Sequence, residues 1–111
     1  MSNVYRNAFY DPTTTASTTV YTCNATARAI IQNIQITNQS GTHAVQAYIY
    51  KNANSTTVEF SHASLGAKDT VNLCKGPVIL QEGDAILIST ASTVVTGIVS
   101  IMEVNRGSLT T

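Results

Sequence analysis

The residues with chemical potential in this chain are few and widely spaced. His43 and His62 are the two candidate general bases. Neither lies near a serine or cysteine in a recognisable nucleophile turn, and Gly41-Thr42-His43 reads as a loop-to-strand junction of no catalytic type. Glu59, three positions before His62, adds a third metal-ligating type, but nothing in the spacing fixes a coordination set. Glu82 and Asp84 flank Gly83 as the closest pair of carboxylates. Glycoside hydrolysis needs such a pair across a cleft, and calcium needs more oxygen ligands than this short turn carries, so both are expected to be solvated turn residues. Tyr48 and Tyr50, two apart, have rings that can stack on sugar, although same-strand aromatics more often pack in sheets or interfaces. No glycine-rich phosphate loop is present. The expectation is therefore a protein that is not an enzyme, with no cofactor and no metal.

Composition narrows the classes further. Charged residues make up 11% of the chain, against roughly 25% in an ordinary soluble domain, and serine, threonine and asparagine fill the difference. Such a surface suits close packing against neighbouring subunits, and it is also what a sheet rich in threonine produces by itself. Six basic and six acidic residues cancel, and the basic ones are scattered. Nucleic-acid binding needs a clustered positive footprint, so none is expected. No segment approaches the roughly 20 apolar residues of a membrane span, and the N-terminus carries no apolar run of signal-peptide length. Assembly in a cytosol is the expectation. There, Cys23 and Cys74 are expected as buried free thiols, a disulfide being the alternative that sequence alone leaves open.

The elements that position these residues all read as strands. At 111 residues the chain is expected to be one domain whose core lies between two layers. Residues 1–17 form an extended N-terminal arm with Tyr5, Phe9 and Tyr10, and Asp11-Pro12 with the threonine run after it disfavours helix. Those three aromatics need a dry surface, either the flank of their own domain or a neighbouring subunit. The stretch from Arg28 to Asn38 alternates, predicting Ile30, Ile34 and Ile36 on one face and Ile31 on the other. His43 to Lys51 places Val45, Ala47 and Ile49 opposite Gln46, Tyr48 and Tyr50. Pro77 to Ser89 reads as two short strands about a corner at Gly83 and Asp84, a hairpin in which glycine supplies φ > 0. The closing strand, Val94 to Val104, is apolar on both faces: Val95, Val99 and Ile101 on one, Ile98, Met102 and Val104 on the other. Such a strand is central or covered on its outer side by something else. A polar tail, residues 105–111, follows.

About seven or eight short strands with turn signals every 8 to 12 residues predict an all-β, two-layer β-sandwich of jelly-roll or Greek-key type over residues 18–104. In order, Tyr21-Thr22-Cys23, the strand Ala29 to Asn38, the segment Leu73-Cys74-Lys75-Gly76-Pro77-Val78-Ile79-Leu80, and Leu80-Gln81-Glu82-Gly83-Asp84-Ala85-Ile86-Leu87-Ile88 resemble small all-β virion proteins of tailed bacteriophages. The resemblance implies a structural component, favouring a head decoration (cement) protein on the capsid exterior that is assembled in the host cytoplasm. It implies the major capsid protein and further copies of itself, a trimer favoured, as partners. Tyr5, Phe9 and Tyr10 of the arm, with Tyr48 and Tyr50, are the expected contact residues. Two alternatives stay open: a neck, tail or fibre-associated structural part, and a carbohydrate-binding module using Tyr48 and Tyr50.

Overall fold

The computed structural model describes residues 2–105, so all but the first residue of the expected polar tail lies outside the described residues. The strands in chain order are β1 (Ser2–Tyr10), β2 (Thr18–Thr22), β3 (Ala27–Asn38), β4 (His43–Lys51), β5 (Thr56–Leu65), β6 (Thr70–Asn72), β7 (Val78–Leu80), β8 (Ala85–Thr90) and β9 (Val95–Asn105). They form two antiparallel sheets. One has the order β1-β9-β3-β6 with β7 also on β3; the other has the order β2-β8-β4-β5.

That order follows from folding the chain about one central turn. The turn between β4 and β5 pairs those two strands; outward from it β3 takes β6 and β7, β2 takes β8, and β1 takes β9. Rolling up this single long hairpin adds the pairs β3·β9 and β4·β8, which is the jelly-roll topology. The expected all-β sandwich is what forms, and β6 with β7 together make one interrupted strand position on β3.

Of the leading segment, residues 2–10 are a strand of the sandwich and residues 13–16 form a bend. All nine residues of β1 run in unbroken register along β9, from Ser2 opposite Asn105 to Tyr10 opposite Gly97. Tyr10 is only 2% exposed and belongs to the core. The fold therefore includes residues that sequence assigned to an arm, because β9 would otherwise have lacked a partner on that side.

Two more expectations change for local reasons. The alternation read through β3 is interrupted by a bulge between Ile31 and Asn33. Before it Ala27, Ala29 and Ile31 face the core; after it Ile34 and Ile36 do, so Ile30 points outward, opposite to the expected face. The corner at Gly83 joins two strands as expected, but they are not a hairpin. β7 pairs with β3 in one sheet and β8 with β2 and β4 in the other, so the corner carries the chain across the sandwich. Between the sheets lie Ile31, Ile34, Ile36, Val45, Leu80, Ile86, Ile88, Val95, Val99 and Ile101.

Candidate functional site

On β9 alternate residues Val95, Val99 and Ile101 are buried in the core, so Ile98, Met102 and Val104 face the other way. The strands beside β9 continue that outer surface. Through the ladders, Tyr5 of β1 lies opposite Met102, Met102 opposite Ile30 of β3, and Ile30 opposite Ile79 of β7. One row of four apolar side chains thus crosses four strands. Two rows toward the other end, Phe9 lies opposite Ile98. Tyr5, Phe9 and Ile79 are 75%, 73% and 61% exposed, values that set them apart from ordinary half-buried sheet residues. Beside the row, Arg28, Ala29, Ile30, Ile79 and Val104 line a shallow hollow of about 300 Å³.

The inward residues of β1 explain why Tyr5 and Phe9 point out. Arg6 Nε donates to Glu103 Oε1 at 2.7 Å, and Tyr10 is locked in the core. Glu103 also accepts from the hydroxyl of Tyr21 on β2, so three strands from both sheets meet at one carboxylate. Burial alone would push Glu103 up, but the Tyr21 hydroxyl and the Arg6 guanidinium outweigh it and hold the carboxyl below its ordinary value. Burial, reinforced by that hydrogen bond, pushes the Tyr21 phenol up. With β1 paired along β9 and tied to Glu103 on its inner side, its backbone carries Tyr5 and Phe9 on the outer face of the sheet.

The other residues singled out by type are dispersed. His43 opens β4 half-buried, and His62 on β5 has its Nδ1 3.0 Å from Glu59 Oε2 on the exposed face. Asp84 is not a solvated turn residue: it is 1% exposed, and its carboxylate accepts from Lys51 Nζ, the Asn52 N–H and the Gln81 N–H. Glu82 Oε1 lies 3.6 Å from Arg28 Nε. Cys23 and Cys74 are buried free thiols, each pushed up by burial.

Tyr48 and Tyr50 stand on the outer face of the second sheet. The Tyr48 hydroxyl is 3.1 Å from Ser89 Oγ, which donates to Gln46 Oε1 at 3.0 Å. Tyr50 lines a hollow of about 310 Å³ with Thr19, Thr22, Gly83, Ala85 and Leu87. Of the five expected contact residues, only Tyr5 and Phe9 stand on this outer face, in rows separated by the polar row Asn7-Ser100-Asn33. Sequence reasoning missed Ile30 and Ile79 as their companions, although the apolar outer side of β9 was the signal that something had to lie over it.

No protein-family model and no curated protein matches the sequence. Among solved structures, a chain in the structure of infectious bursal disease virus, Gt strain, is similar over 96% of this chain and 32% of its own length, at 10% identity and a TM-score of 0.28. The present chain thus spans about a third of that one, and the likeness is loose.

Proposed function

We propose that this protein is a virion structural protein of a tailed bacteriophage, of the head decoration (cement) type, which holds the major capsid shell through the outer face of the sheet β1-β9-β3-β7. The observation that carries the reading is the apolar row Tyr5-Met102-Ile30-Ile79, standing uncovered on a sheet whose opposite side already forms the core. The order of the motifs between Tyr21 and Ile88 supports the phage assignment.

Burial of apolar area gives about 25 cal/mol per Å² before the cost of association, so a shallow face yields modest affinity per copy. On a shell with many equivalent seams that modest energy is repeated at every site. Low surface charge serves the same end, because few ionic groups must be stripped of water when two subunits meet. In this role the rigid sheet presents the contact, and the shell is stabilised without any bond being made or broken.

The test is co-sedimentation with shells of the major capsid protein that lack this chain. Ile79→Lys and Phe9→Lys, each at an exposed position, are expected to leave folding within about 0.5 kcal/mol of the parent while lowering shell affinity at least tenfold. Glu59→Lys, on the far sheet, is expected to leave affinity unchanged. Unaltered binding by both face variants would contradict the proposal.

The carbohydrate-binding alternative draws on the Tyr50 hollow, where one ring and two threonine hydroxyls share a wall. A glycan array separates it from the shell-binding reading, since saccharide binding lost in Tyr50→Ala and kept in Phe9→Lys would favour the alternative.

A further inference from the structure

A two-sheet sandwich has four sheet edges, here β1, β6 with β7, β2 and β5. Each exposes unpaired backbone N–H and C=O groups, and natural sheets blunt such edges with bulges, charge, proline or brevity. Three of the four are blunted. β6 and β7 are three residues each, separated by a stretch containing Lys75 and Pro77. β2 has five residues and a register break between Thr19 and Tyr21. The β5 ladder is broken opposite Ala47 and Tyr48, and its exposed face carries Glu59 and His62.

β1 is the least defended of the four, with a single charge, Arg6, turned onto Glu103. It runs nine residues without a bulge and contains no proline. From this we infer that the free edge of β1 pairs antiparallel with β1 of a second copy, across a two-fold axis at Asn7, to make one continuous sheet.

The register comes from the sequence of the strand. Centred on Asn7, Tyr5 faces Phe9 of the second copy and Phe9 faces its Tyr5, giving two cross-strand aromatic pairs on the outer face. Arg6 then faces Ala8. Centring on Arg6 instead sets two like charges opposite each other; centring on Tyr5 pairs the two tyrosines but leaves Phe9 without an aromatic partner, and centring on Ala8 leaves both unmatched. The second copy also extends the apolar outer face across the junction. A two-fold pairing makes a dimer, unlike the trimer implied by the family resemblance. It does not depend on shell binding, since it is expected of the isolated protein in solution.

Two cysteine variants of the full chain test it. Opposed residues of an antiparallel pair have Cα atoms about 4.5–5.5 Å apart, within disulfide reach. Asn7→Cys is therefore expected to give a covalent dimer on mild oxidation. In Tyr5→Cys the two thiols sit about 13 Å apart along the strands, and no covalent dimer is expected. The native thiols are buried, so the parent is the blank. By sedimentation the parent is expected to be a dimer, and Asn7→Lys, which opposes two ammonium groups at the axis, to weaken it at least tenfold with unchanged circular dichroism. A monomeric or trimeric parent, equal cross-linking of both cysteine variants, or an unweakened Asn7→Lys dimer would overturn the inference.

Discussion

Lys51 Nζ lies 2.6 Å from Asp84 Oδ2, joining the end of β4 to the corner between β7 and β8. The same carboxylate accepts from the main-chain N–H of Asn52 at 2.9 Å and of Gln81 at 3.0 Å. Around it, the Cys23 N–H donates to the Asp84 carbonyl and the Gly83 N–H to the Cys23 carbonyl, so the end of β2 joins the same knot. Where the chain crosses from one sheet to the other, a buried charge thus collects donors from two strand ends.

Asp84→Ala is expected to cost about 3 kcal/mol, because two main-chain donors and an ammonium lose a charged acceptor together. Lys51→Met should cost less, since both N–H donors remain satisfied and the lysine is already a third exposed. Chemical denaturation of the two variants measures this; equal losses would contradict the role given to Asp84.

Acid should loosen the fold at two places. Burial would raise Asp84, but Lys51 and the Asn52 and Gln81 amides outweigh it, and the carboxyl is held below its ordinary value, as Glu103 is. A carboxyl with a lowered folded pKa stabilises fully above its unfolded pKa, about 4, and that contribution is lost as pH falls through the folded value. The unfolding midpoint should be level from pH 7 to about 5 and drop below about 4. Asp84→Asn should reduce the slope of that drop, and a midpoint unchanged down to pH 2 would contradict the assignment.

Gly97 marks a close approach between strands. A Cβ there would stand 2.4 Å from Ile36 Cδ1 and 2.7 Å from the Gln35 carbonyl oxygen. The isoleucine can move, but the ladder oxygen cannot without breaking the β3·β9 register. Gly97→Ala is expected to lose about 1–3 kcal/mol, read as a lower thermal midpoint, and a neutral result would show that β3 yields.

The jelly roll was legible in the sequence, and the reasons it was only partly so are specific. Val45, Ala47 and Ile49 alternate without interruption and β4 has the expected inner face. In β3 one bulge reverses the parity after Ile31, and no residue type at Gln32 announces it. Ile30 therefore moved to the outer face, where it completes the apolar row. The leading strand was harder still. Val4, Ala8 and Tyr10 face inward on a stretch diluted by Asn3, Arg6 and Asn7, so its partner β9, ninety residues away, decides its place, as long-range pairing does in any sheet.

Tyr10 measures how far β1 belongs to the body. Tyr10→Ala is expected to cost about 3–5 kcal/mol, as for other large buried aromatics, whereas Phe9→Ala, which removes only cross-strand contacts outside the core, should cost about 1 kcal/mol or less. Similar stabilities for the two would mean that β1 is held only loosely.

The most direct measurement of the central claim is a reconstruction of the intact virion in which this chain is located. If the proposed shell binding holds, the outer face of β1-β9-β3-β7 lies against the capsid shell, with Met102 and Ile79 at the contact. Density that places this face toward solvent, or seats the chain by the opposite sheet, would contradict it.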